Sequence, residues 1–191
     1  MSDSTARTPA GKPAEEETSF VRWLVETILL VIAAFLLAQG IKTFVVQPFV
    51  IPTGSMIPTI AINDRVLAEK ISYRFIREPE RGDVVVFDDP TKAHPELIKR
   101  VIATGGQNVD IQNGAVYVNG KKLDEPYLDG VTTDPGSVPL PVKVPDGYVW
   151  VMGDNRPNSG DSRFIGPQPV TAIRGRAIWT YWPLTRFGPL R

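Results

Sequence analysis

Val109-Asp-Ile-Gln-Asn-Gly-Ala-Val-Tyr-Val-Asn-Gly-Lys-Lys-Leu123 decides the fold class of this 191-residue chain. Two Asn-Gly pairs interrupt short runs in which apolar and polar residues alternate. Alternation at period two gives a strand one packed face and one wet face, and Asn-Gly supplies the positive φ angles of tight hairpins. The stretch therefore reads as antiparallel strands joined by two-residue turns. The same grammar extends on both sides. Arg65-Val-Leu-Ala68, Asp83-Val-Val-Val-Phe87, Leu97-Ile-Lys-Arg-Val-Ile102, Tyr148-Val-Trp-Val-Met152 and Ala177-Ile-Trp-Thr-Tyr181 are short runs rich in β-branched and aromatic residues. Residues 124–146 hold five prolines and little periodicity, which suits a long loop or a small inserted lobe. No internal repeat is evident. Residues 43–191 are expected to form one mainly β domain, a folded or barrel-like sheet.

Upstream the pattern changes. Phe20 to Ile41 is a run of 22 residues with two charges, Arg22 and Glu26, both near its start. As a helix it would extend about 33 Å, enough for a hydrocarbon core of about 30 Å. Trp23 suits the interfacial belt. A cleaved secretory signal is the rival reading, because Ala38-Gln39-Gly40 loosely fits a small-x-small site. The length and late start of the run favour a retained span over residues 20–42. Residues 1–19 are rich in Ser, Thr, Pro, Ala and Glu and read as a disordered cytoplasmic tail. Arg7, Lys12 and Arg22 precede or open the span, whereas only Lys42 follows it closely. The positive-inside rule then puts the N-terminus in the cytoplasm and the β domain outside.

Composition removes several chemistries. Lys plus Arg and Asp plus Glu are 21 each, so no global basic field exists to attract nucleic acid. There is no cysteine, which excludes thiolate metal sites and cysteine nucleophiles. The lone histidine, His94, lies in a polar turn before a proline and reads as a solvated loop residue. A Ser-His-Asp triad therefore lacks its base, and no metal site or cofactor is expected.

The remaining route to an active serine is a lysine base. A free lysine titrates near 10.4, so it must be buried in an apolar setting before it can accept a proton at neutral pH. At period two, Lys99 shares a strand face with Leu97 and Val101, while Arg100 shares the other with Ile98 and Ile102. One of these two cations is expected to face the core. Taken alone, the pattern also fits a strand end whose lysine reaches water. Ser55 sits in Ile51-Pro-Thr-Gly-Ser-Met-Ile-Pro-Thr59, where Gly54 permits a sharp turn that exposes the hydroxyl. Thr53 and the Ser55 N–H are candidate donors to an oxyanion. An isolated Pro/Gly/Ser segment is more often an ordinary turn. A third unusual segment, Gly153-Asp-Asn-Arg-Pro-Asn-Ser-Gly-Asp-Ser-Arg163, is dense in hydrogen-bonding groups. Its Asp154, Asn155, Asn158 and Asp161 do not have EF-hand spacing, and a supporting shell is the more economical reading.

Pro52–Thr59, Arg81–Phe87, Ile98–Ile102 and Gly153–Arg163, in this order behind one apolar span, resemble the bacterial type I signal peptidases, also called leader peptidases. The resemblance covers the span and nearly all of residues 43–191. It implies that Ser55 is the acylated nucleophile and Lys99 the general base. It implies an oxyanion hole of Thr53 and Ser55, and an orienting bond from Ser159 to Lys99. It implies salt-bridged support from Asp161, Arg163 and Arg100, with Asp154 and Asn155 in the same box. It implies shallow substrate pockets near Ile51, Pro52 and Ile98 that accept small residues, as in Ala-x-Ala. Partners implied are the signal peptides of secreted preproteins, the lipid bilayer and, by proximity, the export machinery. Pro157 and Gly105-Gly106-Gln107 depart from the family pattern, away from the dyad. A dedicated Ser-Lys peptidase with a single pro-protein substrate shares these motifs. A catalytically silent peptide-binding β domain would not need both Ser55 and Lys99.

Overall fold

The computed structural model describes residues 15–190, with side chains from residue 20. It divides into a helical unit that runs to Ile41 and a β-rich unit from Lys42 onward. Helix α1 spans Glu15–Phe44, so it opens five residues before the apolar run. Residues 1–14 of the expected tail lie outside the described residues. From Phe20 to Phe44 the helix is long and apolar enough to cross a membrane, and none of it is buried.

Among the described residues the β-rich unit contains twelve strands: β1 Val46–Val50, β2 Arg65–Glu69, β3 Val84–Asp88, β4 Glu96–Thr104, β5 Asn108–Gln112, β6 Ala115–Val118, β7 Lys121–Lys122, β8 Val142–Lys143, β9 Tyr148–Met152, β10 Gln168–Pro169, β11 Ile173–Trp182 and β12 Gly188–Pro189. They form two antiparallel sheets. The larger is ordered β1-β2-β11-β3-β4-β9-β10, with β12 on β11; the smaller is ordered β7-β6-β5-β8.

The two Asn-Gly turns fall where the sequence puts them. Asn113 and Gly114 have φ of 50° and 76°, and Asn119 and Gly120 have 50° and 75°. Gln112 pairs with Ala115 and Val118 with Lys121 across them. Both central residues at positive φ match the right-handed twist of the paired strands.

The central strands are packed on both faces, and alternation distributes their side chains between separate clusters. Val84 and Val86 of β3 join Ile51, Met56 and Ile60 in one cluster. Val85 and Phe87 face the other way, with Val101, Val149 and Val151. Trp150 and Met152 of β9 join Val109, Val116 and Val118 in a third cluster, which fastens the smaller sheet to the larger. Each fully buried side chain of this kind contributes roughly 1.5–3 kcal/mol. Two consequences matter for function. β4 is held between β3 and β9, so its side chains are fixed from both sides. The segment 51–64 leaves β1 and returns to β2 with Ile51, Met56 and Ile60 as buried anchors.

Candidate active site

Ser55 and Lys99 arrive from different elements. Ser55 lies on the anchored 51–64 segment, and Lys99 sits in β4 opposite Val85 of β3. Their Oγ and Nζ atoms are 2.7 Å apart, and Nζ also donates to the Ile98 carbonyl at 2.9 Å. Ser55 is 6% exposed and Lys99 2%. Burial is the main influence on the amine. It outweighs the opposing pull of Asp161, Asp89 and Asp154, and lowers the Lys99 pKa from 10.5 to about 8. A neutral amine has one lone pair, which can accept the Ser55 proton while an N–H holds the Ile98 carbonyl.

The strand pattern calls for one buried cation on β4, but both are buried: Arg100 is also 2% exposed. The reason is that the two are compensated differently. Arg100 Nε and Nη2 donate to Asp154 Oδ1 and Oδ2 at 2.9 and 2.7 Å. The Tyr127 ring covers its guanidinium at 4.1 Å. Lys99 has no ion-pair partner within 4 Å among the described residues, so its burial goes uncompensated and lowers its pKa instead.

The 153–163 segment forms a polar frame beside this pair. Asp161 is the N-cap of the short helix α2, Ser162–Ile165. It accepts from Arg163 Nε at 2.8 Å and Nη2 at 2.8 Å, and from the Gly153 N–H at 3.0 Å. The Asn155 N–H donates to the Ser55 carbonyl at 3.0 Å, and its amide donates to the Gly54 carbonyl at 2.9 Å. Asp154 also accepts from the Thr59 hydroxyl. The frame therefore grips the backbone of the serine turn as well as β4. The Ser55 N–H has no acceptor among the described residues, and Thr53 is half-buried next to it.

Ser159 differs from its expected role. Its hydroxyl is buried and has no hydrogen-bond partner among the described residues, Lys99 included. A neutral Lys99 has a second N–H to offer, and an unpartnered buried hydroxyl is an acceptor in need of one.

Several structural partners are not legible in the sequence. Arg156 is fully buried, ion-paired to Glu125 and bonded to the Thr133 hydroxyl at 2.6 Å. Its Nε donates to the Gly153 carbonyl at 2.9 Å. The N–H groups of Ser137 and Val138 both donate to the Arg163 carbonyl. The stretch expected to be a loop or inserted lobe is thus fastened to the polar frame along much of its length. Glu125 and Tyr127 carry no local motif, and their partners lie far off in sequence. Replacing Tyr127 by leucine keeps apolar cover over Arg100 but removes both the cation–π contact and the hydroxyl's 2.7 Å bond to Glu125, so thermal unfolding should report a loss of about 1–2 kcal/mol.

Two adjoining pockets flank the pair. The smaller, about 50 Å³, is lined by Phe49, Ile51, Pro52, Val86 and Ile98 among others. The larger, about 320 Å³, contains Ser55 and Lys99 with Asp89, Asn158 and Ile165. Thr53, His94 and Leu97 border both.

The family model described as "Signal peptidase, peptidase S26" matches residues 24–182. The chain is 48% identical over 164 residues to "Probable signal peptidase I-2" of Synechocystis, covering 83% of this chain and 73% of that protein. It is 42% identical over 198 residues to "Signal peptidase I" of Leptolyngbya laminosa, covering 99% of this chain and 95% of that protein. Among solved structures, a signal peptidase I from Enterococcus faecalis V583 is 30% identical, with a TM-score of 0.46 over 52% of this chain and 97% of that one. With the family match spanning most of its length, the chain belongs to the peptidase S26 signal peptidases and is a serine endopeptidase.

Proposed function

We propose that this protein removes N-terminal signal peptides from exported preproteins, cutting after small residues by a Ser55–Lys99 dyad and an acyl-enzyme. Family membership supports the cleavage of signal peptides. The observation that carries the dyad is the 2.7 Å approach of a buried lysine, with no ion pair, to a buried serine. Neutral Lys99 takes the Ser55 proton as Oγ attacks the scissile carbonyl. The oxyanion is received by the Ser55 N–H and the Thr53 hydroxyl. The resulting ammonium protonates the leaving amine, and the amine regenerated there activates water for deacylation. Asp161 with Arg163, and Asp154 with Arg100, hold the walls of the site, and the unpartnered Ser159 hydroxyl is an acceptor left for the second N–H of a neutral Lys99.

The small apolar pocket of about 50 Å³ bordered by Ile51, Pro52 and Ile98 suits a small side chain, in keeping with an Ala-x-Ala pattern. In this reading residues 20–42 anchor the chain in the cytoplasmic membrane by a single pass. The N-terminus is cytoplasmic and the domain from residue 43 acts on the outer face. Partners are signal peptides, the bilayer and the neighbouring export machinery.

The test uses the full chain in detergent with a preprotein ending its signal in Ala-x-Ala. One cut after the last alanine is expected, and replacing that alanine by a bulky residue should stop it. Indifference to that replacement would overturn the small-residue reading. The base must be neutral to act, so cleavage should decline as pH falls through about 8, by about tenfold per unit below it. A rate independent of pH between 6 and 9 would contradict a lysine base.

A further inference from the structure

Three carboxylates act on Lys99 through space: Asp161, Asp89 and Asp154. Two of them are already balanced by cations, Asp161 by Arg163 and Asp154 by Arg100. Asp89 is different. It follows β3, is 7% exposed and borders the pocket that contains Ser55 and Lys99. Its oxygens accept from the Thr91 N–H at 2.8 Å, the Thr91 hydroxyl at 2.7 Å and the His94 N–H at 2.9 Å. All three donors are neutral, and no cation lies within 4 Å of it among the described residues. Burial pushes the Asp89 carboxyl up, but these bonds outweigh it, with help from His94, and hold it below the ordinary carboxylate range. Asp89 is therefore a buried negative charge bordering the dyad pocket with no cation within 4 Å among the described residues.

We propose that Asp89 is a positioning residue for the reaction: a caged, uncompensated carboxylate that stabilises the ammonium formed on Lys99 when Ser55 gives up its proton. The proposal rests on the Ser55–Lys99 reading. The proton moves from Ser55 Oγ to Lys99 Nζ, and the positive charge appears in a pocket whose other anions are neutralised. The situation parallels a triad, in which a carboxylate stabilises the protonated base without itself taking the proton. The remaining charged neighbours do not substitute for it. Arg100 and Arg163 are committed to their own carboxylates, Lys92 projects from the exposed turn, and His94 is exposed on the pocket rim.

The same carboxylate also shapes the 89–94 turn, so the experiment must separate charge from shape. Full-length wild type, Asp89→Asn, Thr91→Val and Ala93→Lys are compared in detergent by kcat and KM against pH with a preprotein substrate. Asp89→Asn removes the charge and keeps an acceptor. Its acid limb should move to lower pH by about half a unit to one unit, and its plateau kcat should fall about tenfold with KM little changed. Ala93→Lys, an exposed substitution on the pocket rim, supplies a counterion without touching the turn's bonds, and should move the limb the same way by a smaller amount. Thr91→Val loosens the turn and keeps the charge, so its limb should stay with wild type. Should Asp89→Asn fail to fold, Ala93→Lys decides the matter alone. An unmoved limb in the charge variants, or a limb moved to higher pH, overturns the proposal. Loss of the dyad reading looks different: Lys99→Met would then retain cleavage, whatever Asp89 does.

Discussion

Lys99→Met should abolish cleavage and at the same time make the protein more stable at neutral pH. Methionine matches the length and volume of the lysine stem but has no lone pair of the right basicity. Removing the base from a nucleophile–base pair costs on the order of 10⁴-fold or more in kcat, because the pair acts as a unit. Ser55→Ala should be as inactive. The two variants part company in stability. In the folded protein burial lowers the Lys99 pKa from 10.5 to about 8, whereas in the unfolded chain the amine titrates at its ordinary value. Between those two values the unfolded state takes up a proton that the folded state refuses. Wild type therefore loses stability as pH falls from 10.5 to about 8, and the loss is complete below that. Its size is about 3 kcal/mol. The methionine side chain has no proton to take. Denaturant unfolding should therefore find Lys99→Met up to about 3 kcal/mol more stable at pH 7, with the gap closing above pH 10.5. Ser55→Ala should retain the wild-type pH dependence. Residual cleavage in Lys99→Met, or a stability gap that does not change with pH, would contradict a buried, neutral, catalytic amine. An inactive but more stable Lys99→Met, by contrast, exemplifies a site that holds a destabilising group because function requires it.

The parts of this molecule that are legible in the sequence are those set by local rules. Asn113-Gly114 and Asn119-Gly120 fix their turns because positive φ is a property of those two residues. Lys99 stands out because an amine amid Leu97, Ile98, Val101 and Ile102 breaks an apolar strand. The contacts around it do not. Arg100 and Asp154 are 54 residues apart, Arg156 and Glu125 are 31 apart, and neither contact leaves a periodic trace. The pairing of β4 with β9 brings Arg100 opposite Met152, and Asp154 follows two residues later. That placement depends on the sheet order and not on either segment alone. β1, β8, β10 and β12 are hidden for a related reason. They are short or contain proline, and become strands only where a neighbour offers its edge. Asp89 carries no signal of its own, because its significance is a missing counterion, which only the assembled pocket reveals.

The sheet order also leaves Gly153 the most crowded glycine among the described residues. A Cβ built there would lie 2.7 Å from Ser159 Cβ, and would press still harder on Ser159 Oγ and the Ser55 carbonyl oxygen. Side-chain carbons do not approach other atoms that closely, so something must shift. Gly153 itself has little freedom to retreat, since its N–H is bonded to Asp161 and its carbonyl to Arg156. The Ser55 carbonyl and the Ser159 side chain are what must yield, the first against two bonds from Asn155 to the serine turn. Gly153→Ala should therefore push the Ser55 backbone away and lengthen the Ser55–Lys99 approach. A misplacement of about 1 Å costs about 100-fold in rate, and overpacking a filled site costs about 1–3 kcal/mol in stability. Because Gly153 does not have a positive φ, alanine suffers no backbone strain there, and the effect isolates lack of space. Gly188→Ala is the matched control, as a Cβ there meets nothing within 4 Å. Preprotein cleavage and thermal unfolding of both variants should give a near-inactive, destabilised Gly153→Ala and an unaffected Gly188→Ala. If Gly153→Ala kept wild-type cleavage, the serine turn would not be gripped by the 153–163 frame as the hydrogen bonds describe. Catalytic alignment would then have to come from β4 and the Ile51, Met56 and Ile60 anchors alone.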